Sequence, residues 1–329
     1  MVHPPARAAV LLEKRSLADV YSMKNALVLG STGMLGHMML RALSRTRSLR
    51  VGGTQRHSAS LPFYFDAEMG VDGLRDVLRH FGACDYLINC TGLVKAHIHE
   101  NDSDSVQRAI LINSLFPHRL ATLALELGAR VIHISTDGVF SGGSRRPYLE
   151  DMPHDCVDIY GKTKSLGEVV KPGSLNIRCS IVGPDPTEKK GLLEWFLAQR
   201  DGATVVGYTD HLWNGVTTIQ LAELCKKIIV QDRFKEIRNE SPVHHFCPNR
   251  VVSKYELLDI FRSVFEKDII IDAERCPGGA VNRVLGTRYR SLPMLFGHDL
   301  SMQQAVSGLL RLEPTDRTTQ IRLGDGDHK

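Results

Sequence analysis

Residues 25–43 narrow the choice of fold more than any other stretch of this chain. Asn25-Ala-Leu-Val-Leu-Gly30 is a short apolar run, as expected of a central parallel strand covered on both faces. It leads directly into Gly30-Ser-Thr-Gly33-Met-Leu-Gly36, after which Leu35, Met38, Met39, Ala42 and Leu43 recur at the spacing of a helix packed on a sheet. Strand, glycine turn and helix in that order are the setting of a dinucleotide fingerprint. The glycines let the backbone approach a pyrophosphate, whose charge rests at the helix N-terminus. Here the spacing is GxxGxxG, one residue longer between the first two glycines than GxGxxG. Without its flanks the same turn would read as a tight βα connection with no ligand.

The alternation continues. Leu49–Gly53 reads as the next strand, followed by Arg56. An NAD-specific site usually carries an acidic residue about twenty positions beyond the glycine loop. None stands there, and Arg56 lies twenty residues after Gly36, which favours a 2′-phosphate and hence NADP(H) over NAD(H). Phe63–Phe65 is expected as a short strand ending at Asp66, a candidate for the adenine edge, with a helix over 71–82. Tyr86–Cys90 is a buried strand with Thr91-Gly92 at its carboxyl end, where α/β sheets bind ligands. His97 and His99 have no third ligand nearby, so no metal site is expected. Ser103–Gly128 reads as one helix bent at Pro117 and carrying Asn113, and Arg130–Ser135 as the next strand.

Ser135 and Thr136 thus fall at a strand end, and a helix from about Asp158 to Val170 puts Tyr160 and Lys164 four residues apart on one face. A phenol titrates near pH ~10. A lysine ammonium beside it favours the phenolate and brings it within reach of neutral pH as an acid or base, next to a hydroxyl that binds a carbonyl oxygen. A lone YxxxK occurs by chance on many surface helices; its place in this alternation gives it weight. Ser174–Cys179 continues the sheet, and the whole reads as α/β, a Rossmann-type doubly wound parallel sheet.

After Gly183 the pattern loosens. Helices are expected at 192–199, 217–230, 253–265 and 301–312, and strands at 204–207, 243–247 and 267–271. The expected division is an extension over 1–23, disordered or an overlong start with Met23 the true beginning, then a nucleotide-binding domain over 24–182 completed by about 214–247. A smaller lobe over 183–213 and 248–312 would close on substrate, and 313–329 would be a flexible tail. A net charge of +4 without basic runs does not argue for nucleic acid. The seven cysteines contain no CxxC and fit reduced thiols in the cytoplasm rather than a disulfide framework. No apolar run reaches the ~20 residues that span a bilayer.

GxxGxxG at 30–36, the NCTG strand end at 89–92, Asn113, STDGVF at 135–140, YGKTK at 160–164 and RCSIVG at 178–183 occur in that order. Together they resemble an extended short-chain dehydrogenase/reductase, and within it the nucleotide-sugar reductases acting on dTDP-4-dehydrorhamnose and its relatives. The resemblance covers about residues 24–312 and is strongest up to 183. It implies NAD(P)H reduction of the 4-keto group of a nucleotide-linked deoxysugar for surface-polysaccharide precursors. Tyr160 would be the acid, Lys164 its electrostatic partner and ribose ligand, and Thr136 the carbonyl-binding hydroxyl. Gly30, Thr32, Gly33, Met34, Leu35, Gly36, Arg56, Asp66, Cys90, Thr91, Gly92, Asn113 and Ser135 would line the cofactor site with Tyr160 and Lys164. Gly138 departs from the pattern, which commonly has tyrosine there; the 95–100 loop and Trp213 depart as well. The same fold also serves as a non-catalytic regulatory subunit accompanying methionine adenosyltransferase, and as nucleotide-sugar epimerases and dehydratases. Those readings stay open, as does a homodimer.

Overall fold

The computed structural model describes residues 23–56 and 63–311. The expected N-terminal extension up to Ser22 and the tail 313–329 lie outside the described residues. The first half alternates strictly: β1 Lys24–Leu29, α1 Met34–Ser44, β2 Leu49–Gly53, α2 Asp72–Phe81, β3 Tyr86–Asn89, α3 Ser103–Ala109, α4 Phe116–Glu126, β4 Arg130–Thr136, α5 Ile159–Leu166 and β5 Ser174–Cys179. The second half continues with β6 Ile181–Val182, α6 Leu192–Leu197, β7 Ala203–Tyr208, β8 His211–Trp213, β9 Val216–Thr217, α7 Thr218–Val230, α8 Phe234–Glu240 and β10 Val243–His245. It ends with β11 Val252–Ser253, α9 Lys254–Val264, β12 Ile269–Glu274, β13 Val281–Arg283, α10 Ser291–Phe296 and α11 Met302–Ser307.

Six strands form a parallel sheet in the order β10-β5-β4-β3-β1-β2. Period-two alternation divides each central strand between two cores. Ala26, Val28, Ile88, Ile132 and Ile177 meet α1 and α7 on one face. Leu27, Leu29, Leu87 and Val131 meet α2 and α4 on the other. Burial on both faces is what the uninterrupted apolar runs require. The chain order reverses beside β1, between β2 and β3, so the crevice at the strands' carboxyl ends opens above the glycine turn. Beyond β5 a third core gathers Phe196, Trp213, Leu257, Phe261 and Val306, under a β7–β12 ribbon and a small β11-β8-β13 sheet.

Three expectations are corrected. Phe63–Phe65 is not a strand: Phe63 sits in the left-handed region at φ 60°, and only an isolated bridge joins Gln55 to Tyr64. The helix expected over 103–128 does not run regularly through to its end: its winding changes just ahead of Pro117, which stands at the start of α4. The interruption is a π-helical segment over Ile110–Leu115. The Tyr160 helix stops at Leu166, short of Val170. Strands β8 and β13 and helices α8 and α10 were not expected.

Candidate functional site

The glycine turn is held open from below. Gly30 has φ +75°, a conformation that L side chains rarely adopt. Its N–H donates to Thr54 Oγ at 3.0 Å, and Ser31 Oγ donates to Thr54 O at 2.8 Å. A Cβ at Gly36 would overlap the Gly30 carbonyl, so the third glycine lets α1 pack against the turn. A Cβ at Gly33 would meet only the Gly30 oxygen, 3.9 Å away, leaving the outer face of the turn clear. Thr32, Met34 and Leu35 complete the turn and the start of α1, and Thr187 Oγ donates to Thr32 O at 2.7 Å from a loop of the second half. That loop is also tied by a 2.7 Å contact between Glu188 Oε2 and His97 Nε2.

At the next strand end, Thr91 donates from both N–H and Oγ to Asn89 Oδ1, at 3.1 and 2.6 Å. Cys90 is buried enough to push its thiol up to about 12. Gly92 lies beside Lys164: a Cβ there would stand 3.9 Å from the ammonium. Asn113 is fully buried in the π-helical segment. Its amide accepts from Leu93 N at 2.8 Å and donates to Leu93 O at 2.9 Å and Thr163 Oγ at 3.2 Å. With those bonds made, it is a clamp joining the β3 loop to α5.

Thr136 and Tyr160 come together, while the Lys164 ammonium turns to the backbone of β4. Thr136 Oγ accepts from Gly138 N at 3.0 Å and donates to Asp137 Oδ1 at 3.2 Å. Asp158 caps α5 by accepting from Gly161 N at 2.7 Å, which starts the helix one residue before Tyr160. The expected depression of the phenol does not occur. Burial pushes Tyr160 up to about 12, only partly offset by a hydrogen bond with Thr136, while Asp137 raises it further. Lys164 gives its ammonium to Ile134 O at 2.8 Å, and burial lowers it to about 8. The phenol here is a neutral acid.

Ser135 is spoken for: its Oγ donates to Glu168 Oε1 at 2.7 Å. Glu168 is held by Arg178 through two bonds of 2.7 Å, and Arg178 lies 3.1 Å from both Glu150 O and His245 Nε2. Arg56 is exposed after β2. Asp66 caps a short 3-10 turn by accepting from Glu68 N at 3.0 Å. The structure keeps these two at the β2 side of the crevice mouth, apart from the Tyr160 cluster.

A second group of side chains was not anticipated. Lys254, the first residue of α9, holds its ammonium 4.7 Å from the Trp213 ring centre and makes no hydrogen bond or ion pair among the described residues. Arg283 is the register partner of Trp213 on β13 and donates to Phe140 O, close after Thr136. Burial lowers Lys254 to about 8, with Asp137 opposing and Arg283 adding to the shift. His211 falls to about 4 through burial and the same two cations. Burial raises Asp137, with Arg283 and Lys254 opposing. Two cations thus lie near one carboxyl group beside the Thr136 and Tyr160 hydroxyls. Lys254 and Arg283 are 29 residues apart in sequence with no motif around them, so only the fold reveals the group.

A family model described as "RmlD substrate binding domain" matches residues 23–274. The spore coat polysaccharide biosynthesis protein SpsK of Bacillus subtilis is 32% identical over 148 residues, 44% of this chain and 47% of that protein. The dTDP-4-keto-6-deoxy-D-glucose reductase of Streptomyces niveus is 31% identical over 142 residues, 43% of this chain and 45% of that protein. The chain therefore spans about half the length of these relatives. Methionine adenosyltransferase 2 subunit beta of Danio rerio is 24% identical over 275 residues, 80% of this chain and 81% of that protein. Among solved structures, the dTDP-4-dehydrorhamnose reductase of Bacillus anthracis in complex with NADP superposes with a TM-score of 0.69 at 15% identity, covering 87% of this chain and 98% of that one.

Proposed function

The chain belongs to the RmlD substrate binding domain family, and from that premise we propose that it is an NADPH-dependent reductase of the 4-keto group of a nucleotide-linked 6-deoxysugar. The observation that carries this reading is the Thr136–Tyr160 hydroxyl pair, with Lys164 anchored behind it and facing Gly92. The names of the B. subtilis and S. niveus relatives support the substrate class.

The residues fit a nicotinamide dinucleotide. Gly30, Gly33 and Gly36 form a turn whose outer face is clear of side-chain atoms, at the N-terminus of α1. Lys164 lies beside Gly92, the place for a ribose next to the phenol. Arg56, at the end of β2, is the residue to meet a 2′-phosphate. Bound there, the cofactor would supply hydride. The chain supplies orientation and the proton. A substrate carbonyl oxygen held here would accept from Tyr160 Oη, and from Thr136 Oγ once that hydroxyl turns from Asp137; as negative charge develops on the oxygen, Tyr160 Oη gives up its proton to it. The Lys164 ammonium stabilises the phenolate left behind. Lys254 and Arg283 add positive charge near Asp137, which suits a substrate carrying a diphosphate.

A lobe division near Gly183, a cytoplasmic setting consistent with seven unpaired cysteines, and a homodimer belong to the same proposal. No helix among the described residues is long and apolar enough to cross a membrane.

The wider coverage of the Danio rerio subunit favours a second reading, a non-catalytic subunit that binds a partner enzyme. A panel of dTDP-, UDP- and GDP-linked 4-keto-6-deoxysugars, followed by NADPH and NADH consumption, separates the two. Turnover of one member with NADPH is expected. NADPH binding without consumption on any member overturns the reductase reading and supports the subunit.

A further inference from the structure

Gly138 lies in the 3-10 turn after Thr136, at a backbone conformation outside the positive-φ region. Its φ is open to any residue, so glycine is not required there for conformational freedom. It is required for space. A Cβ at 138 would stand 2.9 Å from Tyr160 Cε1, 3.3 Å from Tyr160 Cδ1 and 3.3 Å from Thr136 Oγ. The edge of the tyrosine ring occupies the place a side chain at 138 would take.

The neighbouring residue on α5 repeats the arrangement. Gly161 leaves room for the Gly138 carbonyl and for Cys156, whose Cβ would lie 2.5 Å from a Cβ at 161. The turn after β4 and the first turn of α5 are therefore in direct backbone contact, with the Tyr160 ring folded over the outer side of Gly138. Gly138 also donates its N–H to Thr136 Oγ at 3.0 Å. One residue thus sets the threonine hydroxyl through its amide and the tyrosine ring through its missing side chain.

We propose that Gly138 is a positioning residue: its bare Cα is the seat of the Tyr160 ring and fixes the hydroxyl pair that receives the substrate oxygen. A tyrosine at this position, which the resemblance would place there, collides with the ring as it lies here. The proposal rests on the reductase reading for its kinetic consequences, but its geometric content does not.

The test uses Gly138→Ala, Tyr160→Phe and the double variant in the full-length protein. Gly138→Ala should lower kcat by roughly 10–100-fold, the scale of a misplacement near 1 Å, while NADPH affinity and KM stay within about threefold. In the Tyr160→Phe background, which has no proton to position, Gly138→Ala should add almost nothing to the loss. Equal losses in both backgrounds would mean a general packing defect and would overturn the proposal, as would wild-type kcat in Gly138→Ala. A crystal structure of Gly138→Ala separates this from failure of the reductase reading. The Tyr160 hydroxyl should move out of hydrogen-bond range of Thr136 whether or not any sugar is turned over, and a ring still in its wild-type place overturns the proposal.

Discussion

At Tyr160, burial and a hydrogen bond pull the phenol in opposite directions and burial prevails, so the hydroxyl keeps its proton up to about pH 12. Tyr160→Phe should retain NADPH binding, because the ring survives, and lose roughly 10²–10⁴ in turnover, the usual share of general acid catalysis. Thr136→Ala should cost less in the same assay, since it removes a carbonyl contact but no proton. Lys164 is shifted the other way, from 10.5 to about 8. Between those values the unfolded chain holds a proton that the folded chain has released, so this residue makes stability rise with pH across the window from about 8 to 10.5. Urea denaturation at about pH 7 and about pH 10 should show wild type gaining on Lys164→Met; Lys254 keeps its own shift in both proteins and cancels. Arg56→Ala should weaken NADPH by about 1.5–3 kcal/mol, the worth of a charged hydrogen bond, and leave NADH nearly unchanged in fluorescence titration. Equal losses would show that Arg56 does not read the 2′-phosphate.

Among the elements, β5 and the segment after α5 are joined by the Arg178–Glu168 pair, whose side chains are 4% and 7% exposed. Arg178→Met would leave the Glu168 carboxylate buried and uncompensated, at a cost of about 3–5 kcal/mol in urea denaturation. A loss below 1 kcal/mol would mean that water reaches Glu168. The central strands β1 and β3 and the helix α1 were legible in the sequence because each strand is a nearly continuous apolar run and the helix repeats every three to four residues. The strand β8, His-Leu-Trp, is too short and mixed to show a period, and β13 carries one apolar residue in three. Their pairing is decided by elements far away in sequence. Helix α8, Phe-Lys-Glu-Ile-Arg-Asn-Glu, buries only Phe234 and Ile237, too few for a periodic signal.

Across the whole molecule, two groups of candidate residues differ in legibility. The group on the large sheet could be read from motifs, since each candidate residue there stands at a strand end or on a helix face at fixed spacing. The second group, Lys254 and Arg283 near Asp137, consists of residues that only tertiary packing brings together. Lys254→Met should raise KM for the nucleotide sugar about 10–100-fold, the range of one or two charge-assisted bonds, with NADPH affinity unchanged; an unaltered KM would remove Lys254 from the substrate site. Six residues wound as a π-helix also govern how this chain can change its length. A surface loop absorbs an inserted or deleted residue with little harm. A π-helical segment carries one residue more than the α-helical turns it replaces, so α3 and α4 keep the relative orientation of an unbroken helix while the extra residue is taken up between them. Deleting one residue within 110–115 would let the helix close as a regular α-helix with both halves in place, and the change would fall on the turn from which Asn113 clamps Leu93 and Thr163. The most regular form of this helix is therefore the one that would unmake the clamp.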